Sequence, residues 1–286
     1  MLSTLWKTLF FNPFLNILLL LYVILGQNLG LAVIAMAVVI RLLLLPSTKK
    51  QMEMTQKMAK LKPELDKLQK KFKNNKEKLA AEQMKLYKDV GYNPIGCVSS
   101  FLPQILILAA IFGVIRTIND GNFEGLYGPV HDLVFANGKE VLKNLKFLWW
   151  DLNGSYTAFE NMSLWANERL PYLFLGLAVG VVQYISTVFM QKFQGTALPK
   201  KENKGNKDEA MSPEEMQQQM TRSMSTIFPI LTAYLTLSQP AVLGIYWFAQ
   251  SLMFIVQYYF IDKEKFIKTL KDVLSFIPKL NESKTA

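Results

Sequence analysis

The stretch LGLAVIAMAVVIRLLLL, from Leu29 to Leu45, decides the fold. It is apolar apart from a single charged residue, Arg41, and it approaches the roughly 20 residues that a helix needs to cross a bilayer. Directly after it the composition reverses, and 13 of the 32 Lys and Arg residues fall between Pro46 and Pro94. A soluble core does not need apolar and charged residues to be separated along the chain in this way, whereas a membrane-spanning helix does. The sequence therefore predicts an integral membrane protein.

The chain is poor in the residues that carry common enzyme chemistry. It has 286 residues, of which 51% are hydrophobic and 19% charged. A single cysteine, Cys97, and a single histidine, His131, exclude an internal disulfide, a CxxC site and a histidine-based metal cluster. The sequence also contains no GxGxxG or GxxxxGK[ST] phosphate-binding loop. These observations predict a protein that is not an enzyme and that has no cofactor and no metal site.

Hydrophobic segments predict an all-α integral membrane protein built as a five-transmembrane-helix bundle. The predicted spans are residues 29–48, 95–118, 169–192, 223–237 and 241–262. Between and around them we predict an N-terminal interfacial amphipathic helix (1–28), a cytoplasmic antiparallel helical hairpin (49–92), an outer segment (119–168), a partly disordered cytoplasmic loop (193–222) and a basic cytoplasmic tail (263–286).

The segment 10–25 leaves two interpretations open. Its clean apolar run, Ile17–Leu25, is only nine residues long, and Asn12, Pro13 and Asn16 interrupt what precedes it. It is either an additional, signal-like span or an amphipathic helix that lies along the membrane surface. We favour the interfacial helix.

The distribution of Lys and Arg predicts the orientation in the membrane. Three regions together hold 25 Lys and Arg against 15 Asp and Glu: Pro46–Pro94, Gln191–Ser223 and Asp262–Ala286. The segment Asn119–Arg169 holds four Lys and Arg against seven Asp and Glu. Because basic loops remain in the cytoplasm, the three basic regions and the C-terminus are predicted to be cytoplasmic.

The hairpin carries an internal apolar stripe and a large excess of lysine. The stripe follows the heptad spacing of one helix packed on another and comprises Met54, Met58, Leu61, Leu65, Leu68 and Phe72. Pro63 predicts a bend or a fresh helix start, and Asn74 is the predicted N-cap of the second helix. The lysines either fix the topology or dock on anionic partners such as lipid headgroups or ribosomal RNA. The candidate docking residues are Lys60, Lys62, Lys67, Lys70, Lys71 and Lys73.

Arg41 is the one charge well inside a predicted span, and the acidic residue within the predicted bounds, Asp262, lies at the very end of the last span. A guanidinium at bilayer depth costs about 2.5–3.5 kcal/mol on insertion scales, so the side chain needs water or a polar partner. It either snorkels to the cytoplasmic surface or faces a hydrated groove open to the cytoplasm, and we favour the groove. Glutamines within spans support it, because hydrocarbon satisfies none of their hydrogen-bonding groups. The candidate groove residues are Arg41, Gln104, Gln183, Gln250, Ser251, Tyr246 and Trp247.

Three stretches together resemble a known family. They are VVIRLLLLP (Val38–Pro46), the run from KKQMEMTQKMAKLKPELDKL to LYKDVGYNPIGC (Lys49–Cys97), and PAVLGIYWFAQSLMFIVQ (Pro240–Gln257). In this order they resemble the YidC/Oxa/Alb family of membrane protein insertases, specifically bacterial members without the large outer domain. The chain departs from the family pattern where Gly96-Cys97 comes one residue early and Pro103 comes late, which affects which residues of the second span, including Gln104, face inward.

The resemblance implies a function and a set of partners. It implies an insertase and chaperone that moves membrane proteins from the cytoplasm into the bilayer of the bacterial inner membrane without nucleotide hydrolysis. It also implies that Trp247 faces inward and contacts the inserting helix, although the position of Tyr246 and Trp247 equally suits an interfacial aromatic belt. The expected partners are nascent membrane proteins, the ribosome, the Sec translocon and anionic lipids, with no specific nucleic-acid sequence, and we expect a monomer.

Two other functions fit part of the pattern. A small-solute transporter or channel would share the polar spans, but the interior of the predicted spans lacks an acidic residue for ion coupling. A basic membrane tether for ribosomes would share the hairpin, but it would have no use for Arg41.

Overall fold

The structure is a computed structural model, and it describes residues 2–72, 75–89, 91, 102–136, 145–159, 162–163, 165–195 and 223–275. Within these ranges the regular structure is almost entirely helical. The α-helices are α1 (Leu2–Trp6), α2 (Asn12–Ile24), α3 (Leu29–Lys71), α4 (Lys76–Asp89), α5 (Leu102–Asp120), α6 (Gly128–Phe135), α7 (Leu170–Gln194), α8 (Phe228–Ser238), α9 (Ala241–Ile261) and α10 (Lys263–Leu274). Two π-helical turns, Lys7–Phe11 and Ser223–Ile227, precede α2 and α8.

A short hairpin forms the β-structure of the described residues. Strands β1 (Lys146–Phe147) and β2 (Trp150–Asp151) pair antiparallel, with Lys146 opposite Asp151. A 3₁₀ turn follows at Thr157–Phe159.

Four helical stretches are long and apolar enough to cross a membrane: Thr4–Ile24, Leu29–Lys57, Leu170–Gln194 and Ala241–Ile261. Ile105–Ile118 and Ser225–Ser238 are shorter apolar helices that fall within two further predicted spans. The predicted class, an all-α integral membrane protein, is confirmed. By length alone Thr4–Ile24 suits either interpretation of the N-terminal segment.

Helix α3 runs without interruption for 43 residues and includes both Pro46 and Pro63. Each proline removes one backbone hydrogen bond, yet neither ends the helix. At its start, the Leu31 amide donates to the Asn28 side chain at 3.0 Å. At the start of α4, the Lys78 amide donates to the Asn75 side chain at 3.0 Å. The cap of α4 therefore lies one residue after the predicted Asn74, which is outside the described residues.

The chain divides into two compact units. The first comprises Met1–Leu42, Cys97–Gly180 and Thr232–Met253, and the second comprises Leu43–Gly96, Val181–Leu231 and Phe254–Ala286.

In the first unit, Asn16 connects α2 to the loop that follows α5. Its buried side-chain amide donates to the carbonyls of Asn12 at 2.7 Å and Gly125 at 2.9 Å. Its side-chain oxygen accepts from the Tyr127 amide at 2.7 Å. One polar side chain thus satisfies three backbone groups in two separate segments, which repays the cost of burying it.

The β-hairpin region of the first unit is fixed to the start of α9. The amides of Ala241 and Val242 donate to the carbonyls of Gly154 and Leu152 at 2.8 and 3.1 Å. Since the first amides of a helix have no partner within the helix, these bonds complete the N-terminus of α9.

The second unit has two apolar clusters. In the larger one, residues of α3, α7, α9 and α10 pack together: Met52, Val188, Phe189, Phe193, Tyr258 and Val273. The smaller one lies within the helical hairpin, where Leu61 and Leu65 of α3 pack with Tyr87 of α4. Leu61 and Leu65 belong to the predicted heptad stripe, and they are its buried members here.

Candidate functional site

Arg41 lies in the apolar part of α3, in the first unit. Its side chain is partly buried. The next cation along the helix is Lys49, eight residues or about 12 Å further at 1.5 Å per residue. The guanidinium therefore starts from a backbone position within the apolar stretch rather than at its end.

Helix α9 places two polar side chains beside Arg41 in the same unit. Tyr246 is fully buried, and the Arg41 guanidinium acts electrostatically on its hydroxyl. Gln250, one helical turn further and only 6% exposed, reaches the same hydroxyl, although not with the geometry of a full hydrogen bond. The three side chains form a polar site in the first unit, and we call them the Arg41 site.

The aromatic and hydroxyl neighbours on α9 face the protein interior. Trp247 and Ser251 are both buried. An aromatic belt would instead leave the rings exposed to lipid and headgroups, as Trp149 is in the outer segment. The burial of Tyr246 and Trp247 therefore favours the inward orientation over the belt.

Two further candidate groove residues lie on α5 and α7. Gln104 lies in the first turn of α5, but its side chain lies outside the described residues. Gln183 is partly buried and belongs to the second unit.

Several hydroxyls that the sequence placed within spans are satisfied by their own helix. Thr236 donates to the Thr232 carbonyl at 2.8 Å. Ser186 and Thr187 both donate to the Gln183 carbonyl, at 2.8 and 2.9 Å. These side chains need neither water nor a substrate to be buried, so they contribute little argument for a hydrated groove.

Gln257 is one of the span glutamines that support the predicted groove, although it is not among the named candidate residues. It lies in the part of α9 that belongs to the second unit, and it is buried. Neither its side-chain nitrogen nor its oxygen has a hydrogen-bond partner among the residues that the structure describes. Such a group costs about 1–3 kcal/mol unless water or another molecule reaches it. The sequence identifies it by its chemistry alone, as a glutamine in an apolar run.

Of the candidate docking lysines, Lys60, Lys67, Lys70 and Lys71 are exposed on α3. Lys71 also lies 5.3 Å from the ring centroid of Phe72. The side chains of Lys62 and Lys73 lie outside the described residues. The hairpin thus presents a cationic surface around its apolar cluster.

The described part of the protein contains a sizeable cavity, but no group of side chains suited to a metal ion. Among the described residues, no group of three or more His, Cys, Asp or Glu side chains could hold a metal ion. A cavity of about 560 Å³ lies elsewhere in the first unit, and its lining includes Trp6, Phe112 and Arg116.

Together the fold and the site define an integral membrane protein with an all-helical bundle, polar side chains in its interior and a basic helical hairpin. The family described as "60Kd inner membrane protein" matches residues 20–269. The chain belongs to this family.

Curated bacterial relatives extend the comparison. One is the "Membrane protein insertase YidC" of Fusobacterium nucleatum, which is 29% identical over 237 residues, covering 83% of this chain and 87% of the relative. Another carries the same name in Staphylococcus aureus strain JH9 and is 30% identical over 265 residues, covering 89% of this chain and 73% of the relative.

Proposed function

We propose that the protein is a membrane protein insertase and chaperone that moves nascent membrane proteins from the cytoplasm into the bilayer. Membership of the 60Kd inner membrane protein family and two relatives named as insertases support this function. The structural observation that carries it is the Arg41 site, where a cation in an apolar helix lies beside a buried tyrosine and a buried glutamine.

The proposed mechanism is differential solvation. Arg41 and its polar neighbours hydrate a groove open to the cytoplasm, which shortens the hydrocarbon that a hydrophilic substrate tail has to cross. The apolar helix of the substrate then drives insertion as it partitions into lipid, at about 25 cal/mol per Å² buried. This scheme requires no nucleotide hydrolysis.

The proposed topology puts the hairpin and the C-terminus in the cytoplasm and the N-terminal helix on the outer surface. Asn16 supports the second assignment, because it lies near the middle of Thr4–Ile24 yet binds the loop after α5. If that stretch crossed the bilayer, the loop residues Gly125 and Tyr127 would lie deep in hydrocarbon, where irregular backbone is tolerated only when protein or water covers it.

The test is insertion by the purified protein reconstituted in vesicles, using single-span substrates with acidic or neutral translocated tails. A charge pair at 4 Å is worth about 1 kcal/mol in water and about 4 kcal/mol near a protein surface. Arg41→Ala should therefore slow acidic tails by about fivefold or more. Arg41→Lys should retain most activity, and neutral tails should be little affected.

Arg116→Ala is the matched control, since Arg116 is an exposed arginine on α5. Equal insertion of acidic tails by wild type and Arg41→Ala would refute the proposed role of the arginine. Failure of the wild-type protein to insert either kind of tail would refute the insertase itself.

A further inference from the structure

Helix α10 uses only part of its apolar surface for packing within the protein. Thr269 and Val273 are buried, and Phe266 and Leu270 pack against the larger cluster of the second unit. Beside this inner face lies a second apolar strip, formed by Ile267 and Leu274, which are 43% and 55% exposed. We call these two residues the outer strip.

The outer strip is a single line along the helix. Ile267 and Leu274 are seven residues apart, so at 100° per residue their directions differ by about 20°. Lys263 and Lys271 lie four residues on either side of Ile267, each about 40° from it, and both are exposed. The strip is therefore apolar in its centre with a lysine on each side, and the exposed Glu264 lies about 60° from Ile267.

The start of α10 is fixed next to the end of α9. Asp262 alone separates the two helices, and its side chain accepts a hydrogen bond from the Lys265 amide at 3.0 Å. The ring of Phe266 packs against Tyr259 in the last turn of α9, with ring centroids 5.6 Å apart. At the other end, the Lys192 ammonium donates to the Asp272 carbonyl at 2.8 Å.

This attachment determines the depth of α10 relative to a bilayer. Helix α9 is long and apolar enough to span, and its last turn exposes the large side chains Tyr259 and Phe260. Exposed aromatic residues at the end of a span are typical of the membrane–water interface. Because α10 begins one residue later and packs back on that turn, it lies at the level of the headgroups.

We propose that α10 is an interfacial helix that binds anionic phospholipids. Ile267 and Leu274 enter the acyl-chain region, and Lys263 and Lys271 contact the negatively charged headgroups. Residues 263–274 contain four lysines against two acidic residues, which favours an anionic lipid surface over a neutral one. This binding surface is separate from the Arg41 site and does not depend on the proposed insertase activity.

The test uses the full-length protein with Cys97→Ser, single cysteines labelled with an environment-sensitive fluorophore, and reconstitution in vesicles. The labelled positions are Ile267→Cys and Leu274→Cys, with Asp272→Cys as control, because Asp272 is exposed about 140° around the helix from Ile267. Phospholipids with brominated acyl chains should quench the labels of the outer strip, and aqueous iodide should quench the control.

The charge requirement is tested with brominated phosphatidylglycerol against brominated phosphatidylcholine. Quenching at Ile267→Cys should show a preference for phosphatidylglycerol, with about fivefold local enrichment for each lysine at headgroup level. The double change Lys263→Gln with Lys271→Gln should remove most of this preference. Lys268→Gln, which removes one exposed lysine about 100° from Ile267, should remove little of it.

Each alternative result contradicts the proposal in a distinct way. If iodide quenches the outer strip as strongly as the control, α10 lies in water. If neither quencher reaches the strip, a protein surface covers it, either a second copy or another part of this chain. If quenching is equal for the two lipids, the lysines do not select anionic headgroups.

Discussion

At the scale of single residues, Asn16 shows how one amide can hold two segments together. We expect Asn16→Leu to lower stability, because it keeps the side-chain size but leaves the Tyr127 amide and the Gly125 carbonyl without their partner. Each buried group left unsatisfied costs about 1–3 kcal/mol. Thermal unfolding in detergent measures the effect.

The control for Asn16 is Asn122→Ala, which removes an exposed side chain that accepts one local bond from the Glu124 amide at 3.1 Å. It should change the melting temperature much less. A melting temperature for Asn16→Leu equal to that of the wild type would show that the connection to the loop is not stabilising.

Gln83 is the opposite case, a residue whose replacement should increase stability. It is fully buried in the hairpin, and within the described part of the chain both polar atoms of its side chain lack a hydrogen-bond partner. Gln83→Met keeps the length of the side chain and removes the unsatisfied amide, so the hairpin should gain about 1–3 kcal/mol. Slower hydrogen exchange of the α4 amides would report this gain.

Glu82→Met is the matched change for Gln83, since Glu82 is exposed on the same helix. Unchanged or faster exchange in Gln83→Met would mean that bound water or another molecule satisfies the amide.

At the scale of elements, the helical hairpin has its own apolar cluster. Leu61, Leu65 and Tyr87 pack together, and the larger cluster of the second unit contains none of them. We therefore expect that replacing Leu61–Asp89 with a Gly/Ser linker leaves the spans folded while delivery of substrates is lost. Monodisperse elution in detergent tests folding, and insertion in vesicles tests delivery.

A hairpin variant that keeps the fold and loses the charge separates the two roles. Replacing Lys60, Lys67, Lys70 and Lys71 by Gln should reduce delivery as the deletion does. Aggregation of the deletion variant would show that the hairpin is structural, and full delivery by the glutamine variant would show that its lysines do not dock.

The elements also show where sequence patterns suffice and where they do not. Hydropathy identifies the apolar helices, because a helix that crosses the bilayer needs a run of consecutive apolar residues. Such a run can be recognised directly in the sequence. The sequence left open whether Pro63 bends α3 or starts a fresh helix, and the structure has one continuous helix. Leu61 and Leu65 contact Tyr87 on α4, and these contacts stabilise the helical turn around Pro63. Helix propensity depends on the local sequence and does not include contacts with another helix.

At the scale of the whole molecule, the Arg41 site joins residues about 200 positions apart in the sequence. Arg41, Tyr246 and Gln250 were each identifiable as polar or aromatic residues in apolar runs. Their proximity depends on how α3 and α9 pack, which one sequence does not specify. The sequence also predicts Gln104 as a groove residue together with Arg41, and that role stays a prediction.

A hydrated groove predicts a pattern of chemical access across the whole protein. In a Cys97→Ser background, cysteines at Arg41, Gln104 and Gln250 should react with a membrane-impermeant thiol reagent added from the cytoplasmic side. Leu42→Cys should not react, because Leu42 is adjacent in depth but exposed on the surface that lipid covers. Mass spectrometry of the folded protein measures the labelling.

Snorkelling predicts a different labelling pattern. A long arginine side chain reaches the surface in that case, but a cysteine at position 41 does not, so all three positions would stay unlabelled. Labelling of Leu42→Cys together with the other three would indicate a general loosening of the protein instead of a groove.

The connection through Asn16 also has an evolutionary consequence. Ser186 and Thr187 each donate to a carbonyl of their own helix. Replacing either with alanine leaves no distant group without its partner, so these positions can vary between lineages. Asn16 instead bonds to the backbone of a distant loop, where the spacing of Gly125 and Tyr127 matters more than their side chains. Insertions or deletions in that loop should therefore occur in the same lineages as replacements of Asn16.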